Sequence, residues 1–151
     1  MNTKINLIED HFIQELKDLV SLDYAAIEGY EAAIKGIKNE KYKNVLEGFK
    51  NDHERHINAI SHFLKKKGYN CPTGPGMKKL LIQGKVILAT FAGDIAILKA
   101  TRGNEVMMNE AYEKINTYND VPSDIQKILR EGYQDENNHL LWIEEELDEI
   151  S

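Results

Sequence analysis

The sequence predicts an all-α fold, an antiparallel four-helix bundle built from two helical hairpins. Three observations predict it. Apolar residues recur every three or four positions, no stretch alternates as a β-strand does, and one dense run of helix breakers divides the chain into halves of similar length. The length of 151 residues is typical of one domain. We therefore expect a single domain over residues 1–151.

The first hairpin is expected over about residues 5–67. Its first helix carries an apolar stripe between Phe12 and Ile34, and its second helix carries another between Val45 and Leu64. A weaker break at residues 36–40 separates the two helices. Both stripes have the spacing of an amphipathic helix that packs one face on a core.

A crossover loop at residues 68–76 follows, where glycine and proline accumulate. The second hairpin is expected over about residues 77–150. One stripe runs from Ile87 to Ile115 and another from Ile125 to Leu147, with a break at residues 118–123 between them. Four amphipathic patterns joined in this way are typical of a helical bundle.

Each stripe is interrupted near its middle by polar residues where a bundle requires apolar ones. The six residues are Asp23, His53, His56, Glu105, Glu136 and His139. Side chains three positions apart lie on one helix face, so each histidine-containing pair can point inward. Burying carboxylates and imidazoles is costly unless they are paired or bind a cation. We therefore predict a metal site, and the mixture of oxygen and nitrogen donors favours iron, manganese or zinc over calcium and magnesium.

An internal repeat supports the same six residues. Residues 23–31 align with 105–113, and residues 52–56 align with 135–139. Each hairpin thus offers one carboxylate from its first helix and two donors from its second. A pseudo-twofold arrangement of the hairpins brings all six donors around one centre. A single inward histidine is more often an ordinary core residue, but six donors at repeated positions favour metal binding.

This layout of donors resembles that of the ferritin-like di-iron superfamily, which includes ferritins, bacterioferritins, rubrerythrins and manganese catalases. In that superfamily two helices each contribute one Glu, and the other two each contribute Glu-x-x-His. The sequence, including the segments LDYAAIEGY (22–30) and DHERHI (52–57), most closely resembles a narrower group of uncharacterised bacterial ferritin-like domain proteins over nearly its whole length. The resemblance implies a ferritin-like four-helix bundle with a dinuclear metal centre.

Carried over to this sequence, the resemblance places Asp23 and Glu105 at the single-carboxylate positions. Glu136 and His139 match Glu-x-x-His, with Glu136 as the bridging carboxylate, and His56 matches the other histidine. No catalytic residue beyond these metal ligands is implied.

The sequence departs from the superfamily pattern at two ligand positions. His53 stands where a Glu normally bridges the two metals, and Asp23 is one methylene shorter than the usual Glu. Three carboxylates leave two divalent ions with one uncompensated positive charge. The change would favour a mononuclear centre, zinc, or a histidine-rich metal pair. We expect two iron ions, with manganese or zinc as alternatives.

Four further residues are candidates to support the ligands by hydrogen bonding: Tyr30, Tyr112, Glu28 and Glu110. The two tyrosines lie two turns beyond the single carboxylates on the same stripes. The two glutamates are turned roughly 140° away from those stripes, at ~100° per residue, so we expect them to be mainly solvated. Asp52, Glu54 and Arg55 also fall outside the stripe and are assigned no function.

Composition limits the partners and the compartment. A net charge of −6 and a pI of 5.4 argue against nucleic acid as the main partner. The single cysteine, Cys71, cannot form an internal disulfide, which favours the cytoplasm. The longest apolar stretch, Val86 to Leu98, is too short to span a membrane. It is apolar on nearly all sides, so we expect it to pack on a second subunit in a homodimer, or on residues 77–82.

Two functions remain open at this level. The first is an oxidoreductase that acts on oxygen, peroxide or iron(II) in a stress response. Because the chain has no Cys-x-x-Cys pair, the rubredoxin domain of rubrerythrins is absent, and an external electron donor is required. The second is a non-catalytic helical module whose structural or sensory metal, as zinc or a mononuclear site, supports partner binding.

Overall fold

A computed structural model describes residues 3–78, 86–87, 89–90 and 92–150 of the chain, with side chains from residue 7 onward. These residues include four α-helices and one short 3₁₀ helix at Gly76–Lys78, and Val86, Ile87 and Ala89 are also helical. The helices are α1 (Thr3–Gly36), α2 (Glu40–Lys66), α3 (Asp94–Ile115) and α4 (Ser123–Ile150). No strand occurs within the described ranges. The helices pack against each other, so the predicted all-α four-helix bundle is confirmed.

Contacts between side chains show how the helices run. Tyr30 contacts Glu105 and Asp23 contacts Tyr112, so α1 and α3 run in opposite directions. Contacts between α2 and α4 are reversed in the same way. Short connections at residues 37–39 and 116–122 make each hairpin antiparallel. It follows that α2 and α3 run in the same direction, and the two hairpins are joined by a long connection between Lys66 and Asp94.

Local chemistry defines the helix ends. The Asn39 side chain accepts a hydrogen bond from the Tyr42 amide at 3.1 Å and caps the start of α2. The Asp94 carboxylate accepts hydrogen bonds from the Lys38 and Asn39 amides at 2.8 and 2.9 Å, which joins α3 to the turn between α1 and α2. These contacts set the level at which the two hairpins meet.

The third helix begins at Asp94, later than the stripe from Ile87 predicted. Gly93 immediately before it has φ of 97°, a conformation that side-chain-bearing residues rarely adopt, and this separates α3 from the preceding residues. Phe91, which the stripe included, lies outside the described residues. The apolar spacing does not reveal this break, because Ile97 and Leu98 continue the pattern of apolar residues that begins at Ile87.

Two apolar clusters fill the bundle on either side of the polar layer. One contains Leu16, Ile60, Met108 and Leu129, among other residues, and the other contains Leu46, Ile97, Leu98 and Ile143. On α2, α3 and α4 the five polar candidates of these helices lie between the two clusters along the sequence. The apolar clusters separate the polar layer from water, so its groups must satisfy one another or bind an ion.

None of the helices in the described part of the chain has the length and hydropathy required to cross a membrane.

Candidate metal centre

All six polar interruptions of the helical stripes meet in the centre of the bundle. Each is 3% exposed or less. Within the described residues they form two donor groups, whose ligand atoms lie within 4.8 Å of one another. The first group, group A, is Asp23, His53, His56 and Glu136, and the second, group B, is His53, Glu105, Glu136 and His139. His53 and Glu136 belong to both groups.

Group A is organised around Asp23 and Glu136. The Asp23 Oδ1 atom lies 2.8 Å from His53 Nδ1 and 3.6 Å from His56 Nδ1. Glu136 Oε1 lies 3.4 Å from His53 Nδ1 and 3.5 Å from His56 Nδ1. Two carboxylate oxygens and two imidazole nitrogens therefore face the same point from three helices.

Group B repeats the arrangement on the other side of the layer. Glu105 Oε1 lies 3.5 Å from both His53 Nε2 and His139 Nδ1. Glu136 Oε2 lies 3.4 Å from His139 Nδ1. This group draws its donors from α2, α3 and α4.

The donor atoms fit metal ions in both spacing and hydrogen bonding. Inward-facing atoms without a hydrogen-bond partner in the described structure include Glu105 Oε2, both Glu136 oxygens, His53 Nε2, and Nδ1 of His56 and His139. Such atoms are rare in protein interiors. Four ligands bound tetrahedrally at zinc–nitrogen distances lie about 3.4 Å apart, close to most of the separations here. The residues present therefore suit metal.

The outer nitrogens of two histidines are held by aspartates of the opposite helix. His56 Nε2 lies 2.8 Å from Asp135 Oδ2, and His139 Nε2 lies 2.8 Å from Asp52 Oδ2. Arg55 Nη2 donates to both aspartates at 2.9 Å and joins the two pairs. A carboxylate on the outer nitrogen orients the ring and leaves Nδ1 for the interior, as metal-binding histidines require.

Sequence reasoning missed these aspartates and Arg55. Asp52 and Arg55 lie outside the apolar stripe, so periodicity assigned them no function. The available signal was the repeat, which aligns Asp52 with Asp135 immediately before the two-donor motifs. The contacts cross between helices, so spacing within one helix could not reveal them.

The two tyrosine candidates contact carboxylates of the central layer. The Tyr30 hydroxyl donates to Glu105 Oε1, and the Tyr112 hydroxyl donates to Asp23 Oδ2 at 2.8 Å. Each tyrosine therefore contacts a carboxylate of the facing helix and not one of its own helix, because α1 and α3 are antiparallel. Burial raises the pKa of both tyrosines, and neighbouring carboxylates raise it further, so both remain proton donors.

The two glutamate candidates lie outside both donor groups. Glu110 is exposed on α3. Glu28 is half-buried and lines a different cavity of about 490 Å³ with Lys35, Gly36 and Thr90 among others.

Opposite charges dominate the protonation of the histidines. Burial lowers the pKa of each imidazole, but adjacent carboxylates outweigh it. Asp23 and Glu136 raise the pKa of His56 to about 10, and Glu105 and Glu136 raise that of His139 to about 9. The pKa of His53 is also well above its ordinary value, chiefly through Glu136 and Asp23. Without metal, imidazolium groups balance the carboxylates, so metal must displace protons.

The three carboxylates respond differently to the same surroundings. Burial raises the pKa of Asp23 and Glu105, but the histidines outweigh burial and hold both below the ordinary range. Burial and the charge of Glu105 raise the pKa of Glu136. Glu136 contacts all three histidines and both donor groups, and it is the carboxylate whose charge most needs a cation.

Comparison with known proteins identified a matching family model. Searches of curated proteins and of solved structures found no significant match. The family model for a domain of unknown function, DUF2383, matches residues 11–117. The match includes α2, α3 and most of α1, with Asp23, His53, His56 and Glu105, and it ends before α4. Because it covers more than half of the sequence, the chain belongs to the DUF2383 family.

Proposed function

We propose that this protein is a ferritin-like oxidoreductase that binds two iron or manganese ions and acts on oxygen, peroxide or iron(II) in a stress response. The observation that carries the proposal is the pair of four-residue donor groups buried within one bundle. Two adjoining groups of oxygen and nitrogen donors are suited to two redox-active ions.

The donors divide between the two ions. Asp23 and His56 would hold one ion, Glu105 and His139 would hold the other, and His53 and Glu136 belong to both donor groups. When bound, iron or manganese supplies one-electron redox chemistry that side chains lack. Electrons come from a separate donor protein, and the lone Cys71 is consistent with a cytoplasmic setting where thiols remain reduced.

Other residues control orientation and protons. Asp52 and Asp135 orient the terminal histidines. Tyr30 and Tyr112 each donate a hydrogen bond from the hydroxyl to a carboxylate oxygen of the layer. These hydroxyls are neutral proton donors in direct contact with carboxylates of the two groups.

A small cavity next to the layer supports a small substrate. It measures about 10 Å³, and its lining includes Gly29, Tyr30, Asn104 and Glu105. A space of this size accommodates about one water molecule. A larger organic substrate therefore has no room at this point.

Aerobic titration with iron(II) tests the proposal. The full chain, purified without an affinity tag, is first analysed for metal. We expect rapid oxygen consumption and a ferric absorption band on addition of iron(II). His53→Ala and Glu136→Ala should abolish both signals, while His62→Ala, an exposed histidine of α2, should retain them. Tightly bound zinc with no oxygen consumption would contradict the oxidoreductase.

One observation favours a second candidate function. Each donor group offers four protein ligands, a number typical of structural metal sites, whereas catalytic sites keep an open position. In this alternative, a structural or sensory zinc or a mononuclear site stabilises a module that acts through a partner. The same metal analysis distinguishes the two, since this alternative requires a redox-silent ion.

A further inference from the structure

We propose that His53 bridges the two metal ions, with one ion at each ring nitrogen, and that Glu136 forms a second bridge. This inference rests on the proposed function, because it requires that both donor groups bind metal. It adds a specific arrangement of ligands that determines how the two ions are coupled.

The two nitrogens of His53 face different donor groups. Nδ1 lies 2.8 Å from Asp23 Oδ1 and 3.4 Å from Glu136 Oε1, both in group A. Nε2 lies 3.5 Å from Glu105 Oε1, in group B. The lone pairs of an imidazole point away from each other in the plane of the ring, so one nitrogen cannot serve both groups.

The other two histidines use their rings differently. His56 and His139 each direct Nδ1 inward and direct Nε2 to an aspartate near the surface. His53 is completely buried, and both of its nitrogens face carboxylates of the layer. Its Nε2 has no hydrogen-bond partner among the described residues. A ring with one inward nitrogen offers a ligand to one ion, whereas the His53 ring, with two inward nitrogens, offers one nitrogen to each ion.

Glu136 divides its oxygens between the same two groups. Oε1 lies 3.5 Å from His56 Nδ1, and Oε2 lies 3.4 Å from His139 Nδ1. Neither oxygen has a hydrogen-bond partner in the described structure. The two residues shared by the groups thus each offer one donor atom to each side, from α2 and from α4.

The bridge also restores the charge balance of the site. When each ring nitrogen of His53 binds an ion, neither nitrogen keeps a proton, so the N–H protons of the metal-free ring pass to solvent and the ring is an imidazolate anion. Asp23, Glu105 and Glu136 supply three further negative charges. Four negative charges balance two divalent ions, which three carboxylates alone do not.

Crystals of the full chain grown with Zn(II) provide the direct test, by anomalous scattering at the zinc edge. We expect two peaks on opposite sides of the His53 ring, each about 2.0–2.1 Å from one nitrogen. A single peak, or two peaks of which at most one contacts His53, would overturn the bridge.

Zn(II) titrations with a competing chelator test the same point in solution. A His11→Ala/His62→Ala background removes two exposed imidazoles that bind zinc weakly. Within it, His53→Ala should weaken both binding steps at least about tenfold, since even residues that only orient a ligand contribute that much. His56→Ala, the matched terminal ligand, should weaken one step. Circular dichroism checks folding, and His53→Gln replaces His53→Ala where the alanine variant does not fold.

The possible results distinguish this inference from the proposed function. If His53→Ala weakens one step only, or if the parent chain binds one ion, the bridge is wrong while metal binding stands. If the parent chain binds no zinc, iron or manganese, both proposals fail. Weakening of both steps together with two peaks on His53 supports the bridge.

Discussion

Single residues determine which way the central histidines face. His56 and His139 each present Nδ1 to the interior because an aspartate from the opposite helix holds Nε2. Arg55 neutralises part of the charge of both aspartates and is itself half-exposed. The orientation of the ligands therefore depends on residues outside the metal layer.

Removing one of these aspartates should weaken metal binding without unfolding the bundle. Asp135→Ala frees the His56 ring, and we expect a 10–100-fold loss of metal affinity, the range observed for partners that orient a ligand. Glu54→Ala, an exposed neighbour on α2, is the matched control and should bind normally. Zn(II) titration measures both variants, and equal affinities would argue against this function of Asp135.

Protonation of the layer makes the stability of the metal-free protein depend on pH. The pKa of His56 is about 10 and that of His139 about 9, both above the ordinary value of 6.5. A raised pKa in the folded state means that folding favours the protonated form. The stabilisation is complete below about pH 6.5 and is lost as pH rises through the folded pKa values.

We therefore expect the Tm of the metal-free protein to fall between pH 7 and pH 10. His56→Gln, which is neutral throughout, should lose part of this dependence, and His62→Gln on the same helix should keep it. Thermal melts followed by circular dichroism in the presence of a chelator measure the effect. A Tm that is constant over this range would contradict the assigned ion pairing.

At the level of helices, close packing of α3 on α4 positions a ligand. The Tyr112 ring lies so near Gly132 that a Cβ on that glycine would be 2.5 Å from Tyr112 Cε1. The same ring carries the hydroxyl that bonds Asp23 on α1. A glycine in the middle of α4 thus enables a contact between α3 and α1.

Gly132→Ala should be destabilising although alanine is the better helix former. The helix preference alone would stabilise by up to about 1 kcal/mol, but overpacking of a buried ring costs about 1–3 kcal/mol. Gly48→Ala in α2, where a Cβ meets nothing within 4 Å, should instead stabilise. Urea unfolding measures both, and stabilisation by both variants would show that Tyr112 can move freely.

At the level of the whole molecule, the two donor groups connect all four helices. Group A joins α1, α2 and α4, and group B joins α2, α3 and α4. Bound ions would therefore cross-link the two hairpins, which the sequence joins only through residues 67–93. The bundle holds three buried carboxylates in a layer between its two apolar clusters, where imidazolium groups or bound cations, and not solvent, balance them.

Metal removal should lower the thermal stability of the whole bundle. An ion present at 100 times its Kd stabilises the folded state by about 2.7 kcal/mol. For a domain of this size that corresponds to a Tm change of roughly 5–10 °C. Calorimetry with and without a chelator measures it. A Tm insensitive to chelation and to added metal would indicate an ion-paired core without metal.

The apolar stretch from Val86 to Leu98, which extends into the first turns of α3, predicts a homodimer. Ile87 is 45% exposed and Ile95 is 47% exposed. We expect the protein to sediment as a dimer and Ile95→Asp to sediment as a monomer, with Leu141→Asp, at an exposed apolar position of α4, as the control. A wild-type monomer in analytical ultracentrifugation would contradict the prediction.

The sequence by itself determined the helical fold, the two hairpins and the six polar positions, because helical periodicity and an internal repeat are local properties of the chain. It could not place the start of α3, since apolar residues have the same spacing before and after Gly93, where the helix is broken.

Only the tertiary structure decided which atoms meet. The exchange of partners between Tyr30 and Tyr112, the aspartates behind two histidines, and the two inward nitrogens of His53 all depend on contacts across helices. Spacing along one helix specifies a face, but packing with its neighbours specifies the partner.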